Sequence, residues 1–191
     1  MTTGYAGYRM SLPGYDDSPN NANYYMTSQE ILNCVSRING SVVLILDSCY
    51  SGAFLQDMQG QLDALGGRVA VLTAASDTRA TYYKVKKTDK SVDFFTFFLL
   101  KGLGYNHRDG WWNSNAKGSR GSYPGYLAAD AAGNGDGIVT LGEAFSYASN
   151  SIAANIPGYM KKSWYWGDAT RVQQPRYYPG YLNDLVVYQP R

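Results

Sequence analysis

Hydrophobic positions change period several times along the chain, and each change predicts an element. After Thr27, Ile31, Leu32, Val35 and Ile38 recur at helical spacing, and Glu30 completes a capping box with Thr27. The spacing predicts a helix that ends at Asn39 and Gly40, with Cys34 inside it as a packing residue. Residues 41–46, continuously apolar and partly β-branched from Val42 onward, predict a central strand of a parallel sheet, buried on both faces. Residues 67–73 repeat that character, and 54–66 between them are long enough for a crossover. Residues 92–103 carry Phe94, Phe95, Phe97, Phe98, Leu99 and Leu100, apolar nearly all round, and predict a buried helix stopped by Gly104. A further helix is predicted over 140–155, with Leu141, Ala144, Phe145, Ala148 and Ile152 on one side, and a last strand over 184–188. Residues 1–26 and 105–135 are rich in Gly, Asn and Tyr and predict loops. Strands alternating with helices predict an α/β sandwich around a mostly parallel sheet.

Composition narrows the function classes. The 191 residues suit one domain with a real core. The 17 Lys and Arg against 15 Asp and Glu are scattered, so no basic stripe exists for nucleic-acid phosphates. No apolar run reaches the ~18 residues of a membrane span. Residues 1–15 have no charged segment leading into an apolar one, so no signal peptide is expected there. Two cysteines are too few for a disulfide scaffold, and a single His excludes a His-rich metal site. The 18 Tyr partly belong to four Pro-Gly-Tyr triplets, at 13–15, 124–126, 157–159 and 179–181. Their irregular spacing predicts turns covered by Tyr, not a solenoid. The Tyr- and Trp-rich segments 105–126 and 159–166 keep a surface-associated binding protein as a separate class.

Chemistry concentrates at Asp47-Ser48-Cys49-Tyr50-Ser51-Gly52, where the first apolar strand ends. In open α/β sheets ligands bind beyond the carboxyl ends of strands, so Cys49 is placed to meet one. A thiolate there is a nucleophile if a base stands nearby, and Gly52 is expected to keep the turn open for a substrate chain. A strand-end cysteine also packs like a small hydrophobe, and the strand pattern alone leaves both readings open.

The hexapeptide 47–52 resembles the nucleophile motif of the caspase-like (clan CD) cysteine peptidases, the group of caspases, metacaspases, legumains, clostripain and gingipains. Residues 25–32 and 38–44 are similar to the element before the nucleophile strand of bacterial members. Residues 71–76 look like their next strand, 97–104 like the helix after it, and 134–143 like a later segment. The resemblance spans roughly residues 24–188 and implies the C-terminal portion of a caspase-like three-layer domain, its first strands missing. It implies a secreted or cell-surface bacterial endopeptidase that needs no cofactor and acts on a peptide or protein substrate. Cys49 would form a thioester acyl-enzyme and lend its N–H to the oxyanion hole. By the same resemblance Asp47 would line the pocket for an Arg or Lys side chain, joined by Ser76 and Asp77 beyond the next strand.

The departure from the family lies at the base. No His precedes Cys49. Thr3-Gly4-Tyr5-Ala6 stands where the family has Ser/Thr-Gly-His-Gly, with Tyr5 44 residues before Cys49, a separation that fits. A phenol, ordinarily titrating near ~10, is a poor base at neutral pH. His107, 58 residues after Cys49, is read as a solvated loop residue. The chain is therefore expected to be an impaired peptidase or a catalytically silent relative that binds peptides or partners.

Residues 132–143 follow the EF-hand loop. Asn134, Asp136, Thr140 and Glu143 fall at the third, fifth, ninth and twelfth positions, and Gly137 at the sharp turn. Ala132 stands at the first position, where Asp belongs. Asp130, two residues early, could substitute only if the loop bulged. Weak calcium binding is one expectation. The other is a capping box, Thr140 with Glu143, after an Asn-Gly-Asp-Gly turn.

Overall fold

In the computed structural model, which describes residues 9–11, 25–81, 83–84, 92–106, 111–112, 127–160 and 173–189, the capping box at Thr27 is complete. The Glu30 N–H donates to Thr27 Oγ1 at 3.2 Å, and the Thr27 N–H to Glu30 Oε2 at 2.8 Å. Upstream, the stretch expected to be loop contains β1 (Arg9–Ser11), paired antiparallel with β2 (Tyr25–Thr27). The cap starts α1 (Ser28–Ser36), which buries Ile31, Leu32 and Val35. Cys34 falls off that apolar face and is exposed, so the packing role expected for it is corrected.

Next come β3 (Val42–Leu46), the crossover helix α2 (Gly52–Ala64) and β4 (Val69–Thr73), with β3 and β4 parallel from Val42 opposite Val69 to Leu46 opposite Thr73. A two-residue pairing of β5 (Tyr83–Lys84) with β6 (Val92–Asp93) leads into α3 (Phe94–Gly102). The Asp93 carboxylate caps this helix by accepting the Phe95 N–H at 2.7 Å. Gly104, at φ +91°, takes the left-handed turn after it. The stretch from 105 contains β7 (Tyr105–Asn106), β8 (Trp111–Trp112) and α4 (Ala128–Ala132), which corrects the all-loop expectation. β9 (Val139–Thr140) and α5 (Leu141–Met160) follow. The triplet 157–159, read as a turn, lies within the span of α5. β10 (Arg176–Tyr178) and β11 (Val186–Tyr188) complete the described elements. None of the described helices is long and apolar enough to cross a membrane.

The protein is mixed α/β. β10 pairs antiparallel with β4 on the side away from β3, so among the described residues the three-stranded sheet is mixed in direction. β4 is its centre, with every residue buried. Strand alternation sends Ala70 and Leu72 to a core with Phe95 and Phe98 of α3 and Ala148 and Ile152 of α5. Val69 and Val71 face the opposite core, with Leu32 of α1 and Met58 and Leu62 of α2. Helices thus cover both faces. β3 departs from expectation. Among the described strands it lies at the edge of the sheet, Val42, Val43 and Leu44 are half-buried, and Ile45 is 47% exposed.

Candidate functional site

β3 and β4 run side by side, so the chain leaving each arrives at the same sheet edge. Residues 49–52 after β3 are hydrogen-bonded to residues 75–81 after β4. Gly52 N–H donates to Ala75 O at 2.8 Å, and Ala75 N–H to Ser51 Oγ at 3.2 Å. Tyr50 N–H donates to Arg79 O at 2.8 Å. Thr81, buried, holds Cys49 from behind: its N–H donates to Sγ at 3.4 Å, and its hydroxyl lies 3.4 Å from the sulfur. Cys49 itself is exposed. Thr81 therefore holds the sulfur from one side, while the residue as a whole stays exposed.

Tyr50, next to Cys49, has φ +58°. A bulky side chain in the left-handed region costs about 1 kcal/mol or more, and the bond to Arg79 O holds it there. Arg79 was not anticipated at this site. Its Nε is buried without a hydrogen-bond partner.

Gly52 does not keep the turn open, as expected from sequence. It is buried, and a Cβ there would lie 2.7 Å from the Ser76 Cα and carbonyl carbon. The glycine lets the first turn of α2 close onto the segment after β4. Ser76 is fully buried beneath it, with Oγ 3.4 Å from Thr78 Oγ1. Asp77 is exposed and opens into a cleft of about 290 Å³ between α2 and β10, whose lining includes Gly52, Gln56, Arg176 and Tyr178.

Asp47 is exposed and accepts a hydrogen bond from the Thr96 hydroxyl of α3. Its carboxylate lies within hydrogen-bonding reach of Asp93, the cap of that helix. Asp93 is 8% exposed; its Oδ1 accepts from Phe95 N–H and, at 3.4 Å, from Gln173 Nε2. Burial raises its pKa to about 7, and the neighbouring Asp47 charge adds to the rise. Sequence reasoning missed Asp93. An Asp before an apolar run is legible as a cap, but nothing local ties it to Asp47.

Tyr5 and His107 lie outside the described residues, as do most of the aromatic segments 105–126 and 159–166. In the EF-hand-like loop Asp130 Oδ2 accepts the Gly137 N–H at 3.1 Å, in place of an Asp at 132, and its Oδ1 is buried without a partner. The capping box is present as well: Glu143 N–H donates to Thr140 Oγ1 at 3.2 Å, and Thr140 N–H to Glu143 Oε2 at 3.0 Å. Glu143 Oε1 accepts from Asn134 N–H, and Asp136 Oδ1 from Ile138 N–H. Among the described residues no three His, Cys, Asp or Glu side chains are grouped to share a metal ion.

A scan with protein-family models and searches of curated proteins and of solved structures find no match to this chain.

Proposed function

We propose that the chain acts as a caspase-like cysteine endopeptidase, with Cys49 as nucleophile and a preference for Arg or Lys before the scissile bond. One observation carries the reading. An exposed cysteine stands at the carboxyl edge of a parallel strand pair, its sulfur held by Thr81 and its turn strained at Tyr50. A packing cysteine needs neither the exposure nor the strained neighbour. Attack by the sulfur on a carbonyl carbon would expel the amine and leave a thioester, which water then hydrolyses. Tyr5 at the family's base position weakens that step. The alternative is therefore a silent domain that binds peptides at the same edge.

Both cysteines are exposed, so a small alkylating agent does not separate them. A peptidyl acyloxymethyl ketone ending in Arg or Lys does. It is expected to modify Cys49 and leave Cys34 free, as read by peptide mass spectrometry, and Cys49→Ala should remove the adduct. Equal modification of Cys34, or faster reaction of an Asp-terminated ketone, would overturn the assignment.

The loop at 132–143 is proposed as a weak calcium site completed by Asp130. Millimolar calcium is then expected to raise the melting temperature by a few degrees, and Asp130→Asn to remove most of the rise while keeping an acceptor for Gly137 N–H. An unchanged melting temperature in the parent chain leaves the loop as a helix cap alone.

A further inference from the structure

We infer that the cleft between α4, the first turns of α5 and the turn before β11 binds a neutral saccharide. None of its residues belongs to the Cys49 edge, so the site stands apart from the peptidase reading.

The chain builds this cleft toward the other end of the sheet. Tyr181 N–H donates to Gly67 O at 2.7 Å, just before β4 begins, and Asn183 and Asp184 follow. Gly142 N–H donates to Asn183 O, and Leu141 N–H to Leu185 O, each at 2.9 Å, so this turn is fastened to the start of α5. The enclosed space is about 420 Å³, within the ~300–1,000 Å³ of small-molecule sites. Along α5, Glu143, Ser146, Tyr147 and Asn150 recur at helical spacing and share the face that lines it.

Two glycines shape the walls. A Cβ at Gly133 would collide with the Glu143 carboxylate, and one at Gly142 would lie 2.5 Å from Asn183 Oδ1. Both planar groups are also held by hydrogen bonds. Glu143 accepts from the Asn134 and Thr140 N–H groups, and Asn183 Nδ2 donates to Asp184 Oδ1 at 3.0 Å. Tyr147 is half-buried with its ring against Gly102 of α3, where a Cβ would lie 2.8 Å from Cδ1. These groups are therefore fixed before a ligand arrives.

The chemistry of the lining selects the ligand. It holds two carboxylates and no basic side chain, which disfavours anions. Apart from the Tyr147 ring it offers no large apolar surface. Its amides, hydroxyls and carboxylates mix donors with acceptors, which suits hydroxyl groups, since each of those both donates and accepts. Neighbouring hydroxyls of a sugar ring fit the fork of a planar amide or carboxylate, and the C–H face of the ring fits an aromatic one. Capping α5 does not account for these groups, because Thr140 and Glu143 make the cap. Ser146 and Asn150 are exposed, and among the described residues their side chains have no hydrogen-bond partner.

The test is saturation-transfer NMR of the full chain in excess EDTA, which keeps the loop at 132–143 free of metal. The probes are the neutral disaccharides cellobiose, maltose, lactose and diacetylchitobiose, the acidic digalacturonate and the cation spermidine. At least one neutral disaccharide is expected to bind, and digalacturonate is not. Losing one hydrogen bond corresponds to about three- to tenfold in affinity, so Ser146→Ala and Asn150→Ala should each weaken binding by that factor. Asp184→Ala should weaken it by about tenfold or more, since it also releases Asn183. Ser146, Asn150 and Asp184 are exposed, so the variants should melt close to the parent. Cys49→Ala should bind like the parent, whether or not the parent hydrolyses peptides. Binding of no neutral disaccharide, equal binding of digalacturonate, tighter binding of spermidine, or unaltered binding in both Asn150→Ala and Asp184→Ala would overturn the assignment.

Discussion

Gly52→Ala is expected to destabilise the protein by about 2–3 kcal/mol, the range for forcing an extra carbon into a packed interior. The new Cβ would stand 2.7 Å from the Ser76 Cα and carbonyl carbon and 2.8 Å from Ala75 O, all backbone atoms that no rotamer change can move. Relief would require α2 to withdraw from the segment after β4. That would break the Gly52 N–H to Ala75 O bond and loosen the Cys49 turn. Gly60 on the same helix is the control. It is exposed, and a Cβ there meets nothing within 4 Å, so Gly60→Ala should stabilise by up to about 1 kcal/mol through helix propensity alone. Thermal unfolding should separate the two variants clearly, with Gly52→Ala lower by on the order of 5–10 °C. Two variants of equal stability would show that the close approach at Gly52 is not tight.

The second large effect concerns the base. Tyr5→His together with Ala6→Gly is expected to raise hydrolysis of Arg- or Lys-containing peptides by about a hundredfold or more, the usual contribution of a positioned general acid–base. The imidazole would take the thiol proton and return it to the departing amine, and the glycine would let its N–H approach the developing oxyanion. The gain should vanish in Cys49→Ala. Vigorous Cys49-dependent turnover by the unaltered chain would instead show that Tyr5 is not the obstacle.

What the sequence makes legible is local. The Thr27–Glu30 box, the Phe-rich helix and the apolar run of β4 are each specified by residues a few positions apart, and the structure follows them. What escaped depends on partners far along the chain. Five apolar residues in a row say nothing about what pairs with their outer edge, so β3 reads as central although Ile45 is half exposed. α4 spans Ala128–Ala132, too short for a helical period to emerge. Cys49 is legible because a strand end and a small-residue turn are adjacent in sequence. Its contacts with Thr81 are not, since they are set by where the chain runs after β4. Asp47 and Asp93 meet only because α3 packs at the edge where β3 ends. Gly52 shows the same limit in reverse. The residue is correctly singled out, but the backbone that explains it belongs to Ser76.

The antiparallel pairing of β10 with β4 has a consequence for synthesis. Arg176 lies 103 residues beyond Thr73, and its N–H closes onto the Thr73 hydroxyl. A ribosome delivering the chain releases β3, α2 and β4 long before it releases the strand that covers the far side of β4. During that interval the most deeply buried of the described strands presents an unpaired row of amides to solvent, a template for other nascent chains. Loop closure over such a distance also slows the final step. Holdase chaperones should therefore engage this chain from the emergence of β4 until residue 178 has cleared the exit tunnel. Stalled intermediates truncated before β10 should aggregate where the full chain does not.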